Sequence, residues 1–166
     1  MVTSAEHQLT VVFIDAARNE LRGAAEQIAH CVNQLTDEQI WARRMEQMNA
    51  VGNLILHLCG NLRQWVVHGV GGAPDVRDRP AEFARRQVLP RAQLLEMLKT
   101  TVAEADDALA RCDSANLVRE RHVQIGPHTG AAAIFHSVSH FVGHTQEITY
   151  IARLALGGAY QFRRSY

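Results

Sequence analysis

Three histidines recur at four-residue spacing late in the chain, in IFHSVSHFVGHTQEITYIARL: His136, His140 and His144. On an α-helix, residues four apart lie one above the other on one face. Two imidazoles so placed can converge on one metal ion, and a neutral imidazole nitrogen is a good ligand for zinc, nickel, copper or iron. Two ligands from one helix seldom hold an ion tightly alone; helical bundles complete such sites from a facing helix. The stretch GNLILHLCGNLRQW offers that third ligand, because His57 sits between Leu56 and Leu58 in an apolar run. Asn53, His57, Asn61 and Gln64 form a polar stripe there, at spacings of four, four and three. Burying such a stripe without partners is costly. Facing His140 and His144, it would be offset by coordination and by hydrogen bonds around the ligands. His57, His140 and His144 would then form a site with open positions, as catalytic metal sites have, whereas structural zinc sites are filled by four protein ligands. His136 is the rival ligand, since its spacing to His140 equals that of His140 to His144.

Two further side chains belong to this expectation. Asn61 would orient the site from behind the ligands by hydrogen bonding. Glu147, three residues after His144, shares its helix face and is a candidate for an acceptor behind a ligand, a fourth ligand or a general base. The plainer alternative is a solvated carboxylate paired with Arg153. Cys59 lies two residues after His57, on the other side of its helix, and reads as a small core residue. Ser137 and Ser139 have no Ser/His/Asp pattern, and GVGGAP follows a helix and lacks the Lys-Ser/Thr of a phosphate-binding loop.

The elements that must position these residues are helices. Apolar residues at three-and-four spacing predict helices over residues 6–33, 51–70, 91–112 and 129–156. Thr36 is placed to cap a short helix through the amide of Gln39, and Trp41 to pack on the end of the bundle. Asn49 is the expected N-cap of the second long helix, and Gly69, Gly71, Gly72 and Pro74 end it. Residues 71–90 read as a long surface connection, with RDRPAEFARR a solvated loop of mixed charge. Pro90 suits the first turn of the third helix. Residues 117–128 alternate apolar and polar side chains, which predicts an extended piece ended by Gly126-Pro127. The expected architecture is all-α: an antiparallel four-helix bundle with long surface connections, one domain over residues 1–166.

Composition excludes several classes. The 17 Lys+Arg balance 17 Asp+Glu, so there is no basic surplus of the kind nucleic-acid binders carry. No apolar run reaches membrane-spanning length, and the first residues lack a charged region followed by an apolar core. Three widely spaced cysteines give neither a disulfide framework nor a CxxC motif. A reducing, cytoplasmic setting without nucleic-acid or membrane partners is expected.

The stretches VGNLILHLCGNLRQWVVHGVGGAPDVRDRPAEFARR and IFHSVSHFVGHTQEITYIARL resemble the DinB/YfiT-like family of small bacterial metal-binding four-helix bundles, in an uncharacterised branch. The likeness runs from about Leu9 to Gly158 and rests on one histidine in the second helix and H-x-x-x-H in the last. It implies that His57, His140 and His144 are the metal ligands, that the ion is divalent, zinc or nickel, and that the protein is a homodimer. Characterised relatives include transferases and isomerases that use low-molecular-weight thiols such as bacillithiol or mycothiol. The resemblance therefore implies a thiol-dependent S-transferase acting on a small electrophile, with a low-molecular-weight thiol as cosubstrate. The alternative is a non-catalytic, stress-associated metal-binding protein on the same scaffold. Metal-assisted hydrolysis with Glu147 as base is a third expectation. Relatives often carry Gly-Gln-Ile after the last histidine, where this chain has Gln146-Glu147-Ile148.

Overall fold

The computed structural model describes residues 4–86 and 88–163. The outermost residues of the expected 1–166 domain, and Gln87 in the connection, lie outside the described residues. Four long helices dominate: α1 (Ser4–Gln34), α3 (Val51–Leu62), α5 (Arg91–Ala110) and α7 (Gly130–Leu156). Short helices α2 (Asp37–Trp41), α4 (Arg79–Ala84) and α6 (Ser114–Val118) lie in the connections. A π-helical segment, Arg63–His68, prolongs α3.

The local signals act largely as physical chemistry requires. Thr36 and Gln39 form a reciprocal capping box: the Thr36 hydroxyl accepts from the Gln39 amide at 3.2 Å, and the Thr36 amide donates to Gln39 Oε1 at 2.9 Å. Thr129 caps α7 by accepting from the Ala132 amide, and Gly157, at φ +56°, ends that helix. Trp41 packs on the start of α3, where a Cβ on Gly52 would collide with its ring. Two local expectations need correction. The N-cap of α3 is Ala50, without a side-chain bond, and not Asn49; contact with Trp41 fixes that end instead. The extended piece is a hairpin, β1 (Glu120–Val123) paired antiparallel with β2 (Gly126–Thr129). Gly126 and Pro127 open the second strand, and the turn is made by Gln124 at φ +58° and Ile125.

The expected four-helix bundle is present. Side-chain pairs fix the direction of each neighbouring pair of helices. Arg18 meets Asp106, while Arg22 and Ala25 line a groove with Leu95 and Leu98, so α1 and α5 run antiparallel. His57 meets His140 and Asn61 meets Ser137, so α3 and α7 are antiparallel too. Leu9 and Phe13 lie by Ala131, and Gln27 by Thr149, so α1 and α7 run parallel. Arg63, in the π-helical extension of α3, meets Glu104, and farther along a Cβ on Gly71 would touch Ala108, so α3 and α5 are parallel as well. The antiparallel arrangement read from the sequence thus holds for two neighbouring pairs out of four. A parallel pair requires the chain to return along the bundle before the second helix begins, and residues 71–90 make that return.

α3 is buried on most of its circumference: Leu54, Ile55, Leu58 and Leu62 show no exposure, nor does Asn53, and His57 and Asn61 are each 4% exposed. A helix so deeply buried makes its polar residues find partners inside the protein. Those partners come from α7 and, against expectation, from the connection. RDRPAEFARR is not a solvated loop throughout. Asp78 caps α4 by accepting from the Ala81 amide, Pro80 occupies the first turn, and the helix turns Glu82 inward, where it is buried.

Candidate metal centre

His57 comes from the middle of α3, and His140 and His144 from successive turns of α7 facing it. One ring nitrogen of each lies within 4.8 Å of the other two. His57 Nε2 and His140 Nε2 stand 2.8 Å apart. The three rings meet edge-on, with centroids 4.5–5.3 Å apart and interplanar angles of 78–90°. The site grades from buried to exposed: the His57 side chain is 5% exposed and that of His144 25%.

The far nitrogens decide which atoms face inward. Glu82 Oε2 lies 2.8 Å from His57 Nδ1. Arg77 donates to the same carboxylate through Nε at 2.7 Å and Nη2 at 3.0 Å. Arg77 Nη2 also lies 3.1 Å from His57 Nδ1, but that nitrogen cannot both donate to Glu82 and accept from Arg77. A carboxylate paired with a guanidinium only accepts, so the proton sits on His57 Nδ1 and the Nε2 lone pair faces His140. Burial alone would push the Glu82 carboxyl up; hydrogen bonds from His57 and Arg77 and their charges outweigh it and hold its pKa below the ordinary value. On α7, Glu147 Oε2 lies 2.6 Å from His144 Nδ1, leaving His144 Nε2 for the centre. Burial, then the charges of His144, His57 and His136, push His140 down to about 4. His140 is therefore neutral at neutral pH.

This donor set fits a divalent ion. Metal-binding histidines commonly give their second nitrogen to a carboxylate, as His57 and His144 do here. Tetrahedral zinc with Zn–N bonds of about 2.0–2.1 Å spaces its nitrogens about 3.4 Å apart. His57 and His140, 2.8 Å apart, would need to part by about 0.6 Å to reach that spacing. Among the described residues no fourth His, Cys, Asp or Glu joins the three.

The other candidates fall into place around them. His136 stands outside the group: its ring lies on Trp65 at a centroid distance of 4.0 Å and stacks on His140 at 5.7 Å. Asn61 was expected to bond behind the ligands, but its Oδ1 accepts from the Ser137 hydroxyl at 3.0 Å. It braces α3 against α7 one turn before His140. Glu147 pairs with His144, not with Arg153. Cys59 is buried, and burial first of all pushes its thiol up to about 11. Glu82 and Arg77 were missed, because charges in a loop between helices ordinarily mean solvent. The signal was Gly60, three residues after His57 in an apolar helix: a Cβ there would collide with Glu82 Oε1. A pocket of about 420 Å³ opens behind this pair, lined by Cys59, Gly60, Arg63 and Met97. Neither His140 nor His144 lines it, so it lies on the Nδ1 side of His57, away from the converging nitrogens.

No curated protein matches the chain. Among the solved structures that share its fold are two from bacteria. One is a conserved protein from Enterococcus faecalis, 18% identical, with a TM-score of 0.73 over 86% of this chain and 96% of that one. The other is a DinB-like protein from Bacillus cereus, 14% identical, with a TM-score of 0.63 over 80% of this chain and 85% of that one. At such identities the likeness is one of fold, and it agrees with the DinB/YfiT-like resemblance of the sequence. Residues 8–163 match the family described as a protein of unknown function, DUF1572, and the chain belongs to that family.

Proposed function

We propose that this protein is a divalent-metal-dependent enzyme that transfers a low-molecular-weight thiol to a small electrophile, with zinc or nickel held by His57, His140 and His144. The observation that carries the reading is the convergence of three imidazoles, without a fourth protein ligand among the described residues, on a centre that is closed at His57 and partly open at His144. When bound there, a divalent ion would supply the positive charge that favours thiolate over thiol at neutral pH.

The rest of the argument concerns the chain's own residues. Cys59 and Cys112 are pushed towards the neutral thiol by burial, and Cys31 is buried. None is suited to be the nucleophile, which agrees with a reactive thiol supplied from outside. Glu147 Oε2 orients His144, and the carboxylate is 44% exposed. It is close enough to solvent to accept the proton that an incoming thiol loses. Glu82 and Arg77 fill the other side of His57 and keep water from its Nδ1. The thiol part of the reading and the proposed homodimer come from the DinB/YfiT-like resemblance, and the proposed cytoplasmic setting from the wide cysteine spacing.

The test is metal analysis of the purified protein, then a transfer screen with several small thiols and electrophiles before and after chelation. Transfer that disappears with the metal and returns on zinc or nickel addition supports the reading. A zinc-loaded protein that turns over no thiol would leave the non-catalytic metal-binding protein as the better reading.

A further inference from the structure

The connection between α3 and α5 builds more around His57 than a return loop needs. Both Glu82 oxygens are engaged, one by His57 and Arg77 and the other by Arg77 alone. Arg77 Nη1 donates to Gln64 Oε1 at 2.9 Å, Gln64 Nε2 donates to Asp75 Oδ2 at 2.8 Å, and Asp75 Oδ1 accepts from the Arg77 amide at 3.1 Å. Gln64 reaches this ring from the π-helical segment that prolongs α3; such segments often mark functional sites. The backbone is held too. Asn53 donates to the carbonyls of Glu82 and Arg85, and Arg43 to that of Phe83. The side chains of Arg77 and Glu82 are 3% and 9% exposed. A buried ion pair is a poor device for stability alone, because desolvation cancels much of its attraction and apolar residues of similar size often do as well. Its position on His57 gives it another use.

We propose that Arg77 and Glu82 are positioning residues for the histidine centre, and that residues 75–86 form a metal-responsive element whose docking and metal binding assist each other. This rests on the reading of His57, His140 and His144 as a metal centre and adds to it how the centre is regulated. The step is one of tautomers. With Glu82 docked, the His57 proton is held on Nδ1 and the Nε2 lone pair faces His140. With Glu82 withdrawn, His57 is free to carry its proton on Nε2, where it opposes an ion. Docking therefore selects the ligating form of His57. Linkage is reciprocal, so an ion on Nε2 must stabilise the docked connection by the same factor.

The experiment uses the full-length, metal-stripped protein and zinc alone. Zinc affinity is measured by competition with a chromophoric chelator for the wild type, Glu82→Gln, Arg77→Lys and His57→Ala. Backbone amide exchange is followed with and without zinc. Glu82→Gln keeps the shape and removes the charge, and it should weaken zinc binding by about 10–100-fold, the range typical of partners behind a ligand. Arg77→Lys keeps the charge but loses the fork and should weaken it less; it also serves if Glu82→Gln fails to fold. In the wild type, zinc should slow exchange in residues 75–86 and leave the middle of α1 unchanged. Either variant should lose most of that slowing, which a merely structural role of the pair would not produce. Wild-type affinity in both variants, or exchange in residues 75–86 that ignores zinc, overturns the proposal. If His57→Ala itself binds zinc as the wild type does, the metal centre has failed, and that outcome is distinct from failure of the positioning role alone.

Discussion

At the scale of single residues, the distinction between ligand and neighbour follows from where each ring nitrogen goes. His57 and His144 each have one nitrogen on a carboxylate and the other free for the centre. His136 meets the group only through its ring, stacked on Trp65 and His140. Replacing His57, His140 or His144 with Ala should therefore weaken zinc binding by more than the roughly 10–100-fold that loss of a partner behind a ligand produces. His136→Ala should leave the affinity unchanged. Isothermal titration of the four variants checks both statements, and a large loss in His136→Ala with none in His144→Ala would move the centre one turn along α7. Glu147→Gln keeps an oxygen for His144 Nδ1 but removes the proton acceptor. It should weaken zinc binding less than Glu82→Gln, because Glu147 is 44% exposed, and with zinc in excess it should lower thiol transfer, read as a fall in kcat at full metal content.

At the scale of elements, α3 is the helix on which the site depends, and Gly60 is where an added Cβ would bear on Glu82. Alanine there would gain about 1 kcal/mol of helix propensity, and overpacking of Glu82 would oppose it by about 1–3 kcal/mol. Because the collision falls on Glu82, Gly60→Ala should weaken zinc binding more clearly than it lowers the melting temperature. Titration and thermal unfolding of one sample separate the two effects. The capping box of α2 acts on stability alone. Thr36→Ala leaves the Gln39 amide without its acceptor and should cost about 1 kcal/mol, seen as a drop of roughly 2–4 °C in Tm with zinc affinity intact.

At the scale of the whole molecule, acid should unfold the metal-free protein in two stages. His140 is held at about 4, below its ordinary value of 6.5. Between those values the unfolded chain binds the proton and the folded one does not, so stability falls as pH drops through that window. Glu82 and Asp106 are held below their ordinary values of 4.5 and 3.8; for Asp106 the main cause is the hydrogen bond from Arg18. Their contribution is full above those values and is lost below them, as pH falls through the folded-state pKa. Urea unfolding of the chelated protein from pH 7 to pH 3 should show the first loss above pH 4 and a second below it. His140→Gln should shrink the first stage to the part left by His136, which burial and then the charges of His128 and Arg77 also hold below 6.5. A flat profile from pH 7 to pH 4 in the wild type would contradict the placement of His140.

The four long helices, the Thr36–Gln39 capping box and the pairing of His57 with an H-x-x-x-H helix were legible in the sequence, because each rests on local spacing. A helix puts residues four apart on one face whatever surrounds it, and an apolar run with polar residues inside it implies buried partners. Which partners those are was not legible. Asn61 went to Ser137, His136 to Trp65, and the charges of Arg77 and Glu82 to His57, because these pairings depend on how helices far apart in sequence lie against one another. The parallel run of α3 and α5 decided most of this. It forced the chain back along the bundle through residues 71–90 and laid that return beside α3. A return path over a buried polar stripe is where charged side chains leaving water find hydrogen-bond partners that offset the cost, and no local pattern in RDRPAEFARR could show that the path ran there.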